Sequence, residues 1–284
     1  MTPNLAITIL VDEARVSDNL FVSEFGLSFF VRSGDKKILF DTGSSGAFLA
    51  NAGMMGINLR DLDYVVLSHG HDDHTGGLVS LVSYLTGMKS ATCPEKVPEL
   101  IAHPCCFYPK QKGPLQNSGS PLSEAEVQRQ FSVNLSDRPV WITDDMVFLG
   151  EVPRRFPFER TDPGERRIIL PDGRAEPDPL LDDSAIAFRS GAGLVIITGC
   201  SHSGICNITE YAREVCRERR VAGIVGGFHL LSPEPKRLAK TGKYLNRLHF
   251  KALYPCHCTS PEVKVALAGY CPLRETNIGI TISW

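Results

Sequence analysis

Short apolar runs that end in polar residues recur along this chain, and amphipathic segments separate them. Residues 64–67 form one such run, and residues 78–85, beyond the polar segment that follows it, have the apolar spacing of a helix. The last third repeats the order of strand, polar loop and helix three times, with predicted strands at residues 193–198, 221–225 and 251–254. This alternation predicts an α/β protein whose polar residues collect at strand ends.

The first forty residues predict strands joined by short turns. We expect these strands at residues 6–11, 21–25, 28–31 and 37–40. Ser33, Gly34 and Asp35 are typical of a hairpin turn.

The densest polar segment follows the apolar run at residues 64–67. It contains His69, His71, Asp72, Asp73 and His74. Neutral imidazole and carboxylate side chains are the ligands that zinc, iron and manganese take in proteins. A solvated turn rich in histidine is the alternative interpretation. We predict that His69, His71, Asp73 and His74 bind metal, and that Asp73 or Asp72 accepts a proton.

The histidines outside this segment also lie mostly at the ends of predicted strands. Of the eight histidines, all except His249 lie at a predicted strand end or in the opening cluster. We predict that His202 and His257 are metal ligands, that His229 contacts the substrate or binds metal, and that His103 contacts the substrate. Packed histidines without a ligand role are the alternative for each of them.

Composition limits the class of protein. The chain has 284 residues, a net charge of −2, 43% hydrophobic and 22% charged residues, as in ordinary soluble proteins. This charge gives no general attraction to nucleic acid or an anionic membrane, and no apolar stretch is long enough to span a bilayer. The nine cysteines are scattered, which fits reduced thiols. We therefore expect a cytoplasmic protein that acts on a small molecule, with no nucleic-acid or membrane partner.

Prolines are dense from residue 88 to about residue 180, where apolar periodicity is weak. We interpret the chain as a single domain, 1–284, with a loop-rich insertion at about 88–180 that covers the metal site. Arg154, the neighbouring Arg155, and the backbone N–H groups near His202 are the predicted contacts of an anion. They favour a phosphorylated substrate with an aromatic or heterocyclic part.

The string His-x-His-x-Asp-His at residues 69–74 is similar to the signature of the metallo-β-lactamase superfamily of hydrolases. The resemblance implies an αββα sandwich, with two mixed β-sheets flanked by helices. It also implies that Asp41, in Phe-Asp-Thr-Gly, braces the metal loop by orienting a ligand. A helix N-cap is the other interpretation of Asp41.

The resemblance also implies an aspartate shared between two ions after residues 193–198, and this chain has Cys200 there. A thiolate ligand, replacement by His202 and loss of the shared ligand all remain open. Asp182 or Asp183, just before the predicted strand at residues 184–188, is a further candidate, with a carboxylate in place of a histidine of the superfamily pattern.

Further segments occur in the order found in one branch of the superfamily. They are Glu-Phe-Gly-Leu-Ser at 24–28, Gly-Glu-Val-Pro-Arg at 150–154, Thr-Gly-Cys-Ser-His-Ser-Gly-Ile at 198–205, Gly-Gly-Phe-His-Leu at 226–230 and Pro-Cys-His-Cys-Thr at 255–259. The branch contains metal-dependent hydrolases and proteins described as 7,8-dihydropterin-6-methyl-4-(β-D-ribofuranosyl)aminobenzene 5′-phosphate synthases.

The resemblance implies an enzyme that uses one or two divalent ions per chain, which we expect to be zinc, iron or manganese. Its expected reaction is attack of a metal-bound hydroxide on an ester or phosphoester. The first alternative is a transferase that joins a dihydropterin diphosphate to ribofuranosylaminobenzene 5′-phosphate. The second alternative is a metal-binding sensor without catalytic activity.

Overall fold

The computed structural model describes residues 4–13, 20–87, 96–113, 116–160 and 163–284. Segments 88–95, 114–115 and 161–162 of the predicted insertion lie outside the described residues. The chain divides into two compact units. The first comprises Met1–Leu135, Pro163–Pro179 and Asn277–Trp284, and the second comprises Ser136–Asp162 and Leu180–Thr276. The prediction of a single domain with an insertion stays a prediction.

The strands are β1 (Leu5–Val11), β2 (Ser28–Ser33), β3 (Lys36–Phe40), β4 (Tyr64–Val66), β5 (Glu99–Ala102), β6 (Lys110–Lys112), β7 (Gln116–Asn117), β8 (Ser132–Leu135), β9 (Val140–Trp141), β10 (Met146–Phe148), β11 (Arg166–Ile169), β12 (Ala175–Pro177), β13 (Ala185–Ser190), β14 (Gly193–Thr198), β15 (Val221–Gly227), β16 (Ala252–Cys256) and β17 (Thr281–Ser283). The helices are α1 (Ala47–Met54), α2 (Asp72–Thr75), α3 (Leu78–Thr86), α4 (Glu124–Val127), α5 (Ile205–Cys216), α6 (Pro235–Asn246) and α7 (Pro261–Ala268).

A seven-stranded mixed sheet forms the centre of the first unit, in the order β17-β1-β2-β3-β4-β5-β8. Strands β3, β4, β5 and β8 pair in parallel. Leu39, Val65 and Leu100 are in register across them and are fully buried. They belong to one core cluster with Phe48 of α1 and Leu81 of α3, so burial of apolar surface holds these helices on the sheet. The parallel strands end at one edge, where the predicted ligands follow.

The predicted insertion supplies a second sheet to the first unit, in the order β12-β11-β6-β7. The chain after β7 is hydrogen-bonded to the predicted metal loop: the N–H of Asp72 donates to the carbonyl of Ser118 at 3.1 Å. Lys110 and Asp178 form a buried ion pair at 2.9 Å in the same part of the chain. The proline-rich segment is therefore partly regular and anchored to the loop that carries His71.

A six-stranded mixed sheet forms the centre of the second unit, in the order β16-β15-β14-β13-β10-β9. Strands β14, β15 and β16 are parallel, and their residues pack with helices α5, α6 and α7 in one core cluster. Ile196, Ile224 and Leu253 lie on the buried strands, and Ile208 and Leu245 come from the helices. The strand-then-helix pattern read in the last third of the sequence is present in this unit.

The predicted strand at residues 21–25 is wrong. The backbone of Val22 is hydrogen-bonded to a side chain rather than to a neighbouring strand. Asn51 Oδ1 accepts the N–H of Val22 at 2.9 Å, and Asn51 Nδ2 donates to the Val22 carbonyl at 2.8 Å. The Glu24 carboxylate in turn accepts the N–H groups of Ser44 and Ser45. Periodicity alone could not reveal these bonds.

None of the described helices combines the length and the hydropathy needed to cross a bilayer.

Candidate metal-binding residues

Three histidines that follow β4 converge in the first unit. His69 and His74 are fully buried, and His71 is 6% exposed. The ring centre of His69 lies 4.7 Å from that of His71 and 4.2 Å from that of His74. Nε2 of His69 lies 3.0 Å from Nδ1 of His71. We call these three residues the histidine cluster.

Asp41, directly after β3, orients this cluster. Its Oδ1 accepts the N–H of Ser68 at 2.7 Å, and its Oδ2 lies 2.7 Å from both the Ser68 hydroxyl and Nδ1 of His74. The Ser68 hydroxyl also lies 2.9 Å from Nδ1 of His69. Helix α1 begins after Gly46 without a side-chain cap, so Asp41 does not cap it. These contacts are those of a carboxylate that fixes the tautomer of a ligating imidazole.

Asp73 and Asp72 lie at the edge of the same cluster. Oδ2 of Asp73 is 3.7 Å from Nε2 of His74, whereas Asp72 is the more exposed of the two residues. Partial burial raises the pKa of Asp72, and the neighbouring charge of Asp73 raises it further. Both remain predicted proton acceptors, and Asp73 is the one placed beside a histidine nitrogen.

A second group lies in the second unit, at the ends of three parallel strands. Ligand atoms of Cys200, His202 and His229 all lie within 4.8 Å of one another, and those of Cys200 and His257 are within the same distance. The ring centres of His202 and His229 are 4.2 Å apart. We call these four residues the Cys–His cluster. His229, predicted to contact the substrate or to bind metal, therefore lies among the candidate ligands.

The sheet register brings this cluster together. Thr198, Gly226 and Pro255 are aligned across β14, β15 and β16, and the cluster residues follow within a few positions. His229 and His257 have φ angles of 47° and 48°, in the left-handed region that residues other than glycine enter only at a cost. Such local strain is most often retained where it places a functional side chain.

A neighbouring thiol, Cys258, was not among the predicted ligands. It is buried, and its Sγ accepts the N–H of His229 at 3.2 Å. Burial acts to raise the pKa of Cys258, but its contacts with Cys200, His257 and His229 outweigh burial and lower that pKa well below the usual value. The Cys-His-Cys spacing was the signal that could have identified it.

The backbone N–H groups near His202, predicted to contact an anion, are hydrogen-bonded to carboxylates of the protein itself. Asp183 Oδ1 accepts the N–H of His202 at 2.9 Å, and Asp183 Oδ2 accepts that of Ser203 at 2.8 Å. The N–H groups of Cys206 and Asn207 donate to Glu159, a residue that no sequence motif had indicated. Both carboxylate oxygens of Asp183 therefore accept hydrogen bonds from backbone N–H groups.

The other predicted substrate contacts also have partners within the protein. His103 is buried, and its Nδ1 accepts the N–H of Cys105 at 3.1 Å, which caps a short turn. Arg154 Nη2 donates to the carbonyl of Leu180 at 2.8 Å, and Arg155 pairs with Glu214 on the surface. A role of His103 or Arg154 in substrate binding stays a prediction.

The donor atoms fit a divalent transition metal. The histidine cluster offers imidazole nitrogens whose neighbour Asp41 sets the tautomer, and the Cys–His cluster offers thiolate and imidazole. Nitrogen and sulfur donors at this density suit zinc or iron better than magnesium or calcium.

Comparison with known proteins identifies the family. Residues 23–213 match the family model of the metallo-β-lactamase superfamily, and the chain belongs to that superfamily. Two proteins of Methanocaldococcus jannaschii are each 29% identical to it. One is an uncharacterized protein, aligned over 89% of this chain and 90% of its own length. The other is named 7,8-dihydropterin-6-methyl-4-(β-D-ribofuranosyl)-aminobenzene-5′-phosphate synthase, aligned over 90% of this chain and 88% of its own length.

A solved structure agrees with this family. A crystal structure described as a metal-dependent hydrolase of the β-lactamase superfamily has a TM-score of 0.82 and 30% identity, with 99% of each chain covered. The predicted fold class, α/β of the metallo-β-lactamase αββα type, is confirmed by this match and by the mixed sheets with flanking helices.

Proposed function

We propose that this protein is a metal-dependent hydrolase whose substrate is a small ester or phosphoester. The observation that carries the proposal is the buried network from Asp41 through Ser68 to the histidine cluster. Burial of a polar network costs free energy unless its groups are hydrogen-bonded, and imidazoles oriented by a carboxylate are typical of catalytic metal sites. A similar protein of known structure is described as a metal-dependent hydrolase.

The proposed ligands in the histidine cluster are His69, His71 and His74, with Asp73 beside them. In the Cys–His cluster they are Cys200, His202 and His257. A bound divalent ion would lower the pKa of a water molecule and polarise an oxygen of the substrate. Zinc, iron and manganese remain the candidate metals, with one or two ions per chain.

The protein's own groups have distinct tasks in this proposal. Asp41 engages Nδ1 of His74, so the nitrogen that His74 presents to a metal is Nε2. Ser68 holds the ring of His69 through Nδ1 in the same way. Asp73 would accept the proton of the attacking water and return it to the leaving group. His229 is proposed to contact either the metal or the substrate.

A second candidate function is transfer rather than hydrolysis. The relative named as a synthase aligns over most of both chains, which favours a reaction between a dihydropterin diphosphate and ribofuranosylaminobenzene 5′-phosphate. Asp73 would then take the proton that the aryl ring loses. Hydrolysis of a phosphoester and this transfer both act on a phosphorylated substrate, so phosphate is the substrate group that the two candidate functions can share.

The test combines metal analysis with two assays. Protein purified with zinc, iron or manganese is measured by elemental analysis and assayed on bis-p-nitrophenyl phosphate, and then on the two pterin-pathway substrates together. We expect bound metal, and turnover that stops with a chelator and returns with the ion. His249→Asn is the matched control, because His249 is exposed and has a left-handed φ of 50° that asparagine tolerates.

The outcomes separate the candidate functions. Hydrolysis of the phosphodiester without condensation of the pterin substrates supports the hydrolase. Condensation with release of pyrophosphate supports the transferase. Bound metal without turnover in either assay indicates a sensor, and absence of bound metal contradicts all three.

A further inference from the structure

The segment between β14 and α5 carries Cys200 and His202, and two buried carboxylates hold its backbone. Asp183 Oδ1 and Oδ2 accept the N–H groups of His202 and Ser203 at 2.9 and 2.8 Å. The Ser203 hydroxyl adds a third bond to Asp183 Oδ2 at 2.5 Å. Asp183 thus fixes the backbone on both sides of the Cα atom of His202.

Glu159 holds the continuation of the same segment. Its Oε1 accepts the N–H of Cys206, and its Oε2 accepts that of Asn207, each at 2.9 Å. The Glu159 residue is only 2% exposed and ends a short turn at Pro157–Glu159. Because the two N–H groups belong to the first turn of α5, the carboxylate also meets the positive end of the helix dipole.

Gly204 shows how closely Glu159 approaches. It has a φ of 100°, and a Cβ atom at this position would lie 2.3 Å from Oε2 of Glu159. Any side chain would displace the carboxylate. The backbone of the segment therefore fits against Glu159 only with glycine at this position.

Asn207 closes the arrangement from the other side. Its Oδ1 accepts the N–H groups of Arg155 and Phe156 at 2.7 and 2.9 Å, and its Nδ2 donates to the carbonyl of Ser203 at 2.8 Å. The chain leading to Glu159 is thereby bonded to the segment that Glu159 holds. The contacts are reciprocal, so each of the two segments constrains the backbone of the other.

Two buried carboxylates are more than the helix needs. A single serine or aspartate at the N-cap usually satisfies the first turn, and burial of a carboxylate is costly unless it is fully hydrogen-bonded. Burial raises the pKa of both Asp183 and Glu159, while the backbone donors act to lower it. Both buried carboxylates bind the backbone of residues 202–207, a segment of six residues that contains the candidate metal ligand His202.

We propose that Glu159 and Asp183 are positioning residues that set the backbone of residues 202–207, and with it the approach of His202 and Cys200 to a metal. This inference rests on the proposed metal-binding function. It also assigns Asp183 a role other than the metal ligation predicted from the sequence. Replacement of residues that orient a ligand typically weakens metal binding by about 10–100-fold.

The variants are Glu159→Gln, Asp183→Asn and, as the control, Glu214→Gln. Gln and Asn keep the side-chain shape but turn one acceptor into a donor that faces an N–H group. Glu214 is a carboxylate on α5 that pairs with Arg155 at the surface. Zinc affinity is measured by competition with a chromophoric chelator, and the visible spectrum of cobalt-loaded protein reports the thiolate and imidazole geometry. Amide hydrogen exchange of residues 202–207 is measured on metal-free protein.

We expect Glu159→Gln to bind zinc about 10–100-fold more weakly, to shift the cobalt spectrum and to exchange the amides of 206 and 207 faster. Glu214→Gln should match the wild-type protein in all three. A lower melting temperature with unchanged zinc affinity and cobalt spectrum would mean an ordinary helix cap and overturn the proposal. Loss of zinc from Asp183→Asn with unchanged amide exchange would make Asp183 a ligand and overturn its positioning role.

If the wild-type protein binds no metal, the proposed function fails, but amide exchange still tests the arrangement. Slow exchange at residues 206 and 207 that becomes faster in Glu159→Gln, and at residues 202 and 203 that becomes faster in Asp183→Asn, supports the positioning of the backbone. Exchange equal to that of the wild-type protein contradicts it. If Asp183→Asn does not fold, Glu159→Gln decides the role of Glu159, and slow exchange of the amides of 202 and 203 in the wild-type protein tests that of Asp183; fast exchange there would contradict it.

Discussion

The histidine cluster and the Cys–His cluster solve one problem in different ways. In the first, three ligand candidates come from six consecutive residues, and Asp41 contacts an imidazole ring directly. In the second, the candidates come from the ends of three strands, and Asp183 contacts backbone rather than a ring. When the candidate ligands are close in sequence, only their side chains have to be oriented. When they come from separate strands, the backbone that carries them also has to be positioned. The position of a bracing carboxylate therefore indicates which degree of freedom the fold must control.

The largest expected effect comes from removal of the histidine cluster. The double variant His69→Ala/His71→Ala should lose tight metal binding and lower turnover by more than about 100-fold, because second-sphere changes alone reach that size. The fold should persist, since these side chains do not build the hydrophobic core. Elemental analysis and circular dichroism check both points, with His249→Asn as control. Full metal content in the double variant would show that the Cys–His cluster alone retains the ion.

Cys200 tests the second cluster. Cys200→Asp should melt well below the wild-type protein in chelator, because an unpaired buried carboxylate costs several kcal/mol. Added zinc should restore most of the loss. Cys200→Ala should stay folded, with a loss of roughly 0.5–3 kcal/mol. Thermal melts with and without zinc measure this. If zinc does not rescue Cys200→Asp, the thiol serves packing rather than metal binding.

Asp41 tests the brace on the first cluster. Asp41→Asn keeps one acceptor for Ser68 but presents a donor to His74, and we expect zinc affinity to fall by about 10–100-fold. Stability should fall by about 1–3 kcal/mol, because a buried hydrogen bond to a charged group is lost. Chelator competition and urea unfolding separate the two effects. An unchanged zinc affinity would mean that His74 is not a ligand.

The smallest expected effect distinguishes two adjacent arginines. Arg154→Gln should lower stability by about 1–3 kcal/mol, because its bond to the Leu180 carbonyl is partly buried. Arg155→Gln should lower it by no more than about 1 kcal/mol, because its pair with Glu214 is exposed. Competition by pyrophosphate, measured on both variants, tests the predicted substrate contact. If Arg154→Gln alone weakens inhibition, Arg154 binds the anion besides holding Leu180.

The sequence was sufficient where the signal was local. The motif at residues 69–74 identified the superfamily, and the apolar periodicity of the last third gave its strands and helices. Glu159 was overlooked because its partners, the N–H groups of Cys206 and Asn207, lie almost fifty residues further on and have no side-chain signature. The strand predicted at residues 21–25 failed for a similar reason, since its backbone bonds go to Asn51 and not to a strand.

The difference in sequence separation has a consequence for how the protein acquires metal. His69, His71 and His74 are close in any conformation of the chain, so an ion can meet them before tertiary structure forms. Cys200, His229 and His257 approach one another only after β14, β15 and β16 have paired, which requires closure of long loops. Zinc added to unfolded chains should therefore occupy the histidine motif early and stabilise the unfolded state there. The residues of the Cys–His cluster come together only when these strands have paired. Metal bound to that cluster is therefore evidence that the sheet has formed.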